Sequence, residues 1–173
     1  SEEGYAGYND WRLPTLEEAV SLLESSRKNG DLYIDPVFSK INGIWTGDKF
    51  KREDGTEVVW DVLFDNGSVS TDLIPYPVRP VRFVYDSDEE PEEEDQEEEE
   101  DEEKLSKSKI ITLRSSYKTL SVSEVQSMPN VSVRKKEEWG FDGHSTINHD
   151  YNLKTVGGDK VVVDNATGLM WHQ

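Results

Sequence analysis

Asp61, Asp65 and Asn66 fall close together near one predicted hairpin tip, and Asp48 can lie across the same sheet. Such an oxygen-rich group suits calcium, a hard cation that takes about 6–8 oxygen ligands. The favoured alternative is turn chemistry, since Asp65-Asn66-Gly67 can bond its own backbone and tolerates left-handed conformation. Five tryptophans offer flat faces on which a pyranose ring could stack. Trp11, Trp60 and Trp171 occupy alternating or motif-bound positions and are assigned to the core, whereas Trp45, beside Thr46-Gly-Asp48, is placed near a loop as the stacking candidate. Arg79 and Arg82, like Arg12, adjoin apolar residues, so each is expected to hold a buried carboxylate; an anion or sulfated sugar is the alternative partner. The candidate ligand-binding set is therefore Trp45, Asp48, Asp61, Asp65, Asn66, Arg79 and Arg82, with calcium the one cofactor entertained.

Other chemistries are disfavoured. The chain has no cysteine, which removes disulfides, thiolate zinc sites and cysteine nucleophiles together. His144 and His149 lack a third plausible ligand and His172 stands apart, so a zinc site is not expected. There is no glycine-elbow serine, phosphate loop or metalloprotease helix motif, and a non-catalytic protein is expected. The formal charge of −18 is local: Asp86 to Glu103 holds fifteen Asp and Glu and no basic residue, leaving about −3 for the rest of the 173 residues. With no basic surface to meet phosphates, nucleic acid is not expected as a partner. No apolar run approaches the ~20 residues that span a bilayer. Ser1 is not Met, so the native N-terminus is expected upstream, and the lack of a leader carries no information.

Two blocks flank the acidic run. In the first, residues 1–85, Thr15 and Glu18 form a capping box ahead of Leu16, Ala19, Val20, Leu22 and Leu23, which predicts a helix over about 16–26. Val58, Trp60, Val62 and Phe64 then alternate with Val59, Asp61 and Leu63, the pattern of a strand with one buried face. Asp54-Gly55 and Asn66-Gly67 supply tight turns at its ends, so strands are predicted over 44–46, 57–64 and 68–71. A further strand over 78–84 must be an edge or carry a bulge, because Pro80 has no N–H to donate. Residues 86–109 read as a disordered linker whose like charges oppose compaction. In the second block, 110–173, Ser121 and Glu124 cap a short helix that Pro129 stops, and Arg134 to Asn152 lacks periodicity. A hairpin is predicted from 160–163 and 169–171 around Asp164-Asn-Ala-Thr-Gly168.

The strings GYNDWRLPT, YIDP, IWTGDK, WDVLFDNGSVS and VRPVR in the first block, with LRSSYKTLSVSEVQSM and GDKVVVDNATGLMW in the second, resemble the Lcl C-terminal domain family of bacterial proteins. That resemblance implies an α+β fold of C-type-lectin-like kind, a small twisted antiparallel sheet with one or two packed helices, here incomplete or permuted. It also implies a secreted or surface-exposed ligand-binding module, with glycans as the expected ligand class; the alternatives are a purely structural repeat or an unrecognised enzyme. Family members have no established catalytic residues, so none is carried over. The string Tyr8-Asn9-Asp10-Trp11 looks like a lectin calcium motif but precedes a helix cap, and is discounted.

In the family the TGLMW-type segment precedes the DWRLPT signature, and here it follows. The expectation is a tandem array holding the rear of one repeat (1–85) and the front of the next (110–173), joined by the acidic linker. A 24-residue linker could reach ~80 Å when extended, so residues 161–171 could dock on the first block's open sheet edge within one chain. Pairing of 161–163 with 169–171 alone would instead mark two incomplete fragments.

Overall fold

The computed structural model describes residues 4–72, 74–85 and 110–173; the acidic run 86–109, and with it the predicted disordered linker, lies outside the described residues. After a 3-10 turn at Tyr5–Gly7 come α1 (Leu16–Val20), β1 (Gly43–Lys51), β2 (Glu57–Leu63), β3 (Ser68–Ser70) and β4 (Val81–Phe83). The second block supplies α2 (Val122–Gln126), β5 (Val131–Lys135), β6 (Phe141–Ser145), β7 (Tyr151–Val156), β8 (Asp159–Asp164) and β9 (Leu169–His172). This is a sheet-rich fold with two short α-helices among the described residues.

The expected single small sheet is corrected to two antiparallel sheets, ordered β1-β2-β3-β6-β5 and β4-β9-β8-β7. Each draws strands from both blocks. In the first sheet Ser68 and Val69 pair with Asp142 and Phe141, and in the second Val81 pairs with Trp171 and Phe83 with Leu169. β4 forms an edge of its sheet, where the missing N–H of Pro80 costs no ladder bond, and the Pro80 carbonyl still accepts from the His172 amide.

Both predicted capping boxes close. The Thr15 hydroxyl accepts from the Glu18 amide while the Glu18 carboxylate accepts from the Thr15 amide, and Ser121 and Glu124 repeat the arrangement. However, α1 stops at Val20 instead of running to 26. The Ser21 hydroxyl donates back to the Glu18 carbonyl, and the next two amides, of Leu22 and Leu23, switch to the carbonyls of Ala19 and Val20. This tightened last turn buries both leucines.

The region 134–152, expected to be irregular, contributes β6 and parts of β5 and β7. Its period was invisible because β7 is an edge strand with most residues exposed, and β6 turns only Phe141 and Gly143 fully inward.

One core unites the parts. Leu16, Val20 and Leu23 from α1 and its last turn pack with Trp60, Val62, Val69 and Phe141 of the first sheet and with Val81, Val162 and Trp171 of the second. The opposite face of the second sheet is also covered, since Val161, Val163 and Met170 pack with Ala6, Tyr5, Tyr8 and Trp11. Trp11 is thus half-buried in this satellite cluster, its indole N–H donating to the Tyr5 carbonyl at 2.9 Å. None of the described helices is long and apolar enough to cross a membrane.

Candidate ligand-binding site

Most of the polar residues singled out from the sequence are engaged within the protein. Asp48 bears most directly on the calcium alternative. It is fully buried in a bulged part of β1, where Oδ1 accepts from Arg114 Nη1 at 2.9 Å and the Lys118 amide at 2.7 Å. Its Oδ2 accepts from the Leu16 amide at 2.7 Å and Arg114 Nη2 at 2.5 Å. No oxygen of this carboxylate is left for an ion. Asn66 accepts the Ser68 amide through its side chain, the turn chemistry read in the sequence, and Asp65 is exposed. Among the described residues no group of three His, Asp or Glu could hold a metal.

Asp61 is buried, and its Oδ1 accepts from the Ser70 hydroxyl at 2.5 Å while Oδ2 has no hydrogen-bond partner among the described residues. Burial, with Asp72 nearby, pushes its pKa up to about 6. Trp45 lies in strand β1, where a strand was predicted over 44–46, half-buried opposite Asp61, with its indole N–H donating to the Ile74 carbonyl at 3.1 Å.

The arginines divide. Arg12 holds Glu18 through two bonds of 2.6 and 2.7 Å, and Arg82 holds Asp10 at 2.6 Å while lying 3.8 Å over the Tyr8 ring. The hydrogen bond from Arg82 keeps the Asp10 carboxyl below its usual range. Among the described residues Arg79 has no carboxylate partner, contrary to expectation. It is buried over the Phe38 ring with Nη2 donating to the Ser39 carbonyl and Nη1 unpartnered, and burial lowers its pKa to about 10.

One arrangement has the outline of a catalytic triad. His149 Nδ1 lies 2.6 Å from Asp164 Oδ2, and Nε2 lies 3.2 Å from the Ser145 hydroxyl. Yet Nε2 is also 2.5 Å from the Ser21 carbonyl, which can only accept, so that nitrogen must carry a hydrogen and has no lone pair for the serine proton. The Ser145 oxygen in turn accepts the Ile147 amide. Burial raises the Asp164 pKa, but the interaction with His149 and the bonds from the Asp150 amide and the Thr167 hydroxyl together outweigh it and leave the carboxyl below its usual range. The trio braces the end of α1 to β8.

An open site lies elsewhere, at Trp139, a residue that sequence reasoning left without a role. This indole is 48% exposed at the tip of the β5–β6 connection. Gly140 behind it has φ of +112°, a conformation few side-chain-bearing residues adopt, and its carbonyl accepts the Lys136 amide to close the turn. Trp139 completes a ring of four aromatics. Its centroid is 5.4 Å from Phe50 and 6.1 Å from Phe141, while buried Trp60 lies 5.4 Å from Phe50 and 5.8 Å from Phe141. The exposed face is therefore held in place before any ligand arrives. Beside it opens a cleft of about 440 Å³, within the ~300–1,000 Å³ usual for ligand sites. Lys51, Arg52 and Glu53 line one part, Thr71 and Asp72 another, so the wall combines donors and acceptors around the aromatic floor of Phe50 and Trp139.

Residues 1–82 match the model of the Lcl C-terminal domain family. No curated protein matches the chain, and neither does any solved structure.

Proposed function

We propose that this chain is a non-catalytic carbohydrate-binding module of C-type-lectin-like architecture, secreted or displayed on a cell surface, with its ligand site in the Trp139 cleft. The carrying observation is the aromatic ring of four, which fixes a half-exposed indole above a cleft whose rim is polar. Such a surface suits a sugar, because the apolar C–H face of a pyranose can lie on an aromatic ring while its hydroxyls exchange hydrogen bonds with the rim. Prior immobilisation of Trp139 also lowers the ordering cost of binding. The committed hydrogen bonds of His149 weigh against the nearest enzymatic alternative.

A glycan array probed with the whole chain and with Trp139→Ala tests the proposal. The expected result is a defined set of glycans bound by the first and lost by the second. Absence of binding across the array, or binding indifferent to Trp139, would favour a purely structural repeat.

A further inference from the structure

We infer that the cleft selects an uncharged saccharide and disfavours sulfated or uronate-rich chains; this rests on the carbohydrate reading above. The rim carries Lys51 and Arg52 against Glu53 and Asp72, so its formal charges cancel. A sulfate or carboxylate entering there would lose water and meet two carboxylates as well as two cations, and a buried or half-buried anion needs a surplus of donors to compensate. A hydroxyl asks for no such surplus. Each can donate to Glu53 or Asp72 and accept from Lys51 or Arg52, so a mixed rim can satisfy both halves of a sugar hydroxyl.

Four of the arginines that could attract a polyanion are spent elsewhere. Arg12, Arg82 and Arg114 hold Glu18, Asp10 and Asp48 respectively, and Arg79 is buried. Outside the acidic run 86–103 the formal charge is about −3, so the rest of the chain offers a polyanion no net attraction. Recognition must then come from stacking on Trp139 and from short-range hydrogen bonds, both of which are nearly indifferent to ionic strength.

The experiment is a calorimetric titration of the whole chain with chitohexaose, cellohexaose and a heparin hexasaccharide, at about 50 and about 500 mM sodium chloride. Binding of a neutral hexasaccharide that changes little with salt and weakens about tenfold or more in Trp139→Ala is expected. Trp139→Phe, which keeps an aromatic face, should recover part of that loss, and unchanged denaturation midpoints would show that both variants fold. A preference for the heparin fragment that collapses at high salt while still needing Trp139 would overturn the uncharged-ligand inference and leave the carbohydrate reading standing. If none of the three binds through Trp139, both fall.

Discussion

Arg114 and Asp48, 66 residues apart, form a two-pronged ion pair in which the carboxylate is fully buried and also accepts the amides of Leu16 and Lys118. One side chain therefore joins the start of α1, the bulge of β1 and the second block. Gly47 makes the approach possible, since a Cβ there would sit 2.2 Å from the Tyr117 ring. Arg114→Ala leaves the buried charge with only its amide donors, and the expected loss of stability is about 3–5 kcal/mol. Urea denaturation would measure it. A loss below about 1 kcal/mol would show that the pair contributes no more than an exposed salt bridge.

Trp60 and Trp139 share the aromatic ring of four but should respond differently to truncation. Trp60 is fully buried, so Trp60→Ala should cost about 3–5 kcal/mol, in line with other large buried aromatics. Trp139 keeps nearly half its surface in water, and Trp139→Ala should cost well under half as much. Equal losses in paired denaturation curves would mean that Trp139 is a core residue.

Asp61 should make stability depend on pH in the direction opposite to most carboxylates. Its folded pKa of about 6 lies above the ordinary value of 3.8, so the folded state holds the proton more tightly than the unfolded chain. That contribution is fully present below about pH 4 and is lost as pH rises through about 6. Asp61→Asn keeps an acceptor for Ser70 and carries no charge, so it should stabilise the protein at pH 7 by roughly 2–3 kcal/mol, with the advantage shrinking towards pH 4. Denaturation midpoints across that range provide the check; a constant difference would assign the effect to packing.

A fourth expectation concerns His149. Ser145→Ala should shift stability by less than about 1 kcal/mol, whereas His149→Ala removes bonds to both Asp164 and Ser21 and should cost about 2–4 kcal/mol. Thermal melts of the two variants would separate them. Comparable effects would indicate that the serine contributes equally to the brace.

What could be read in the sequence was local. The capping boxes at Thr15 and Ser121, the alternation through Trp60 and the turn at Asn66-Gly67 each depend on residues a few positions apart, and each forms as read. Asp48 was misread because its partner Arg114 lies in the other block, beyond the reach of any spacing argument. Trp139 was missed for a related reason. It sits in a polar stretch with no period, and its importance arises only where Phe50 and Phe141, from different blocks, close around it.

The interleaving of the two sheets has a consequence for how the chain is made. Strands β3 and β4 leave the ribosome long before β6 and β9 exist, and their unpaired ladders must wait for partners in the second block. Contacts of such long sequence separation also place the protein among slow folders. The nascent first half is thus the species most exposed to aggregation, until Leu169–His172 emerges to pair with β4.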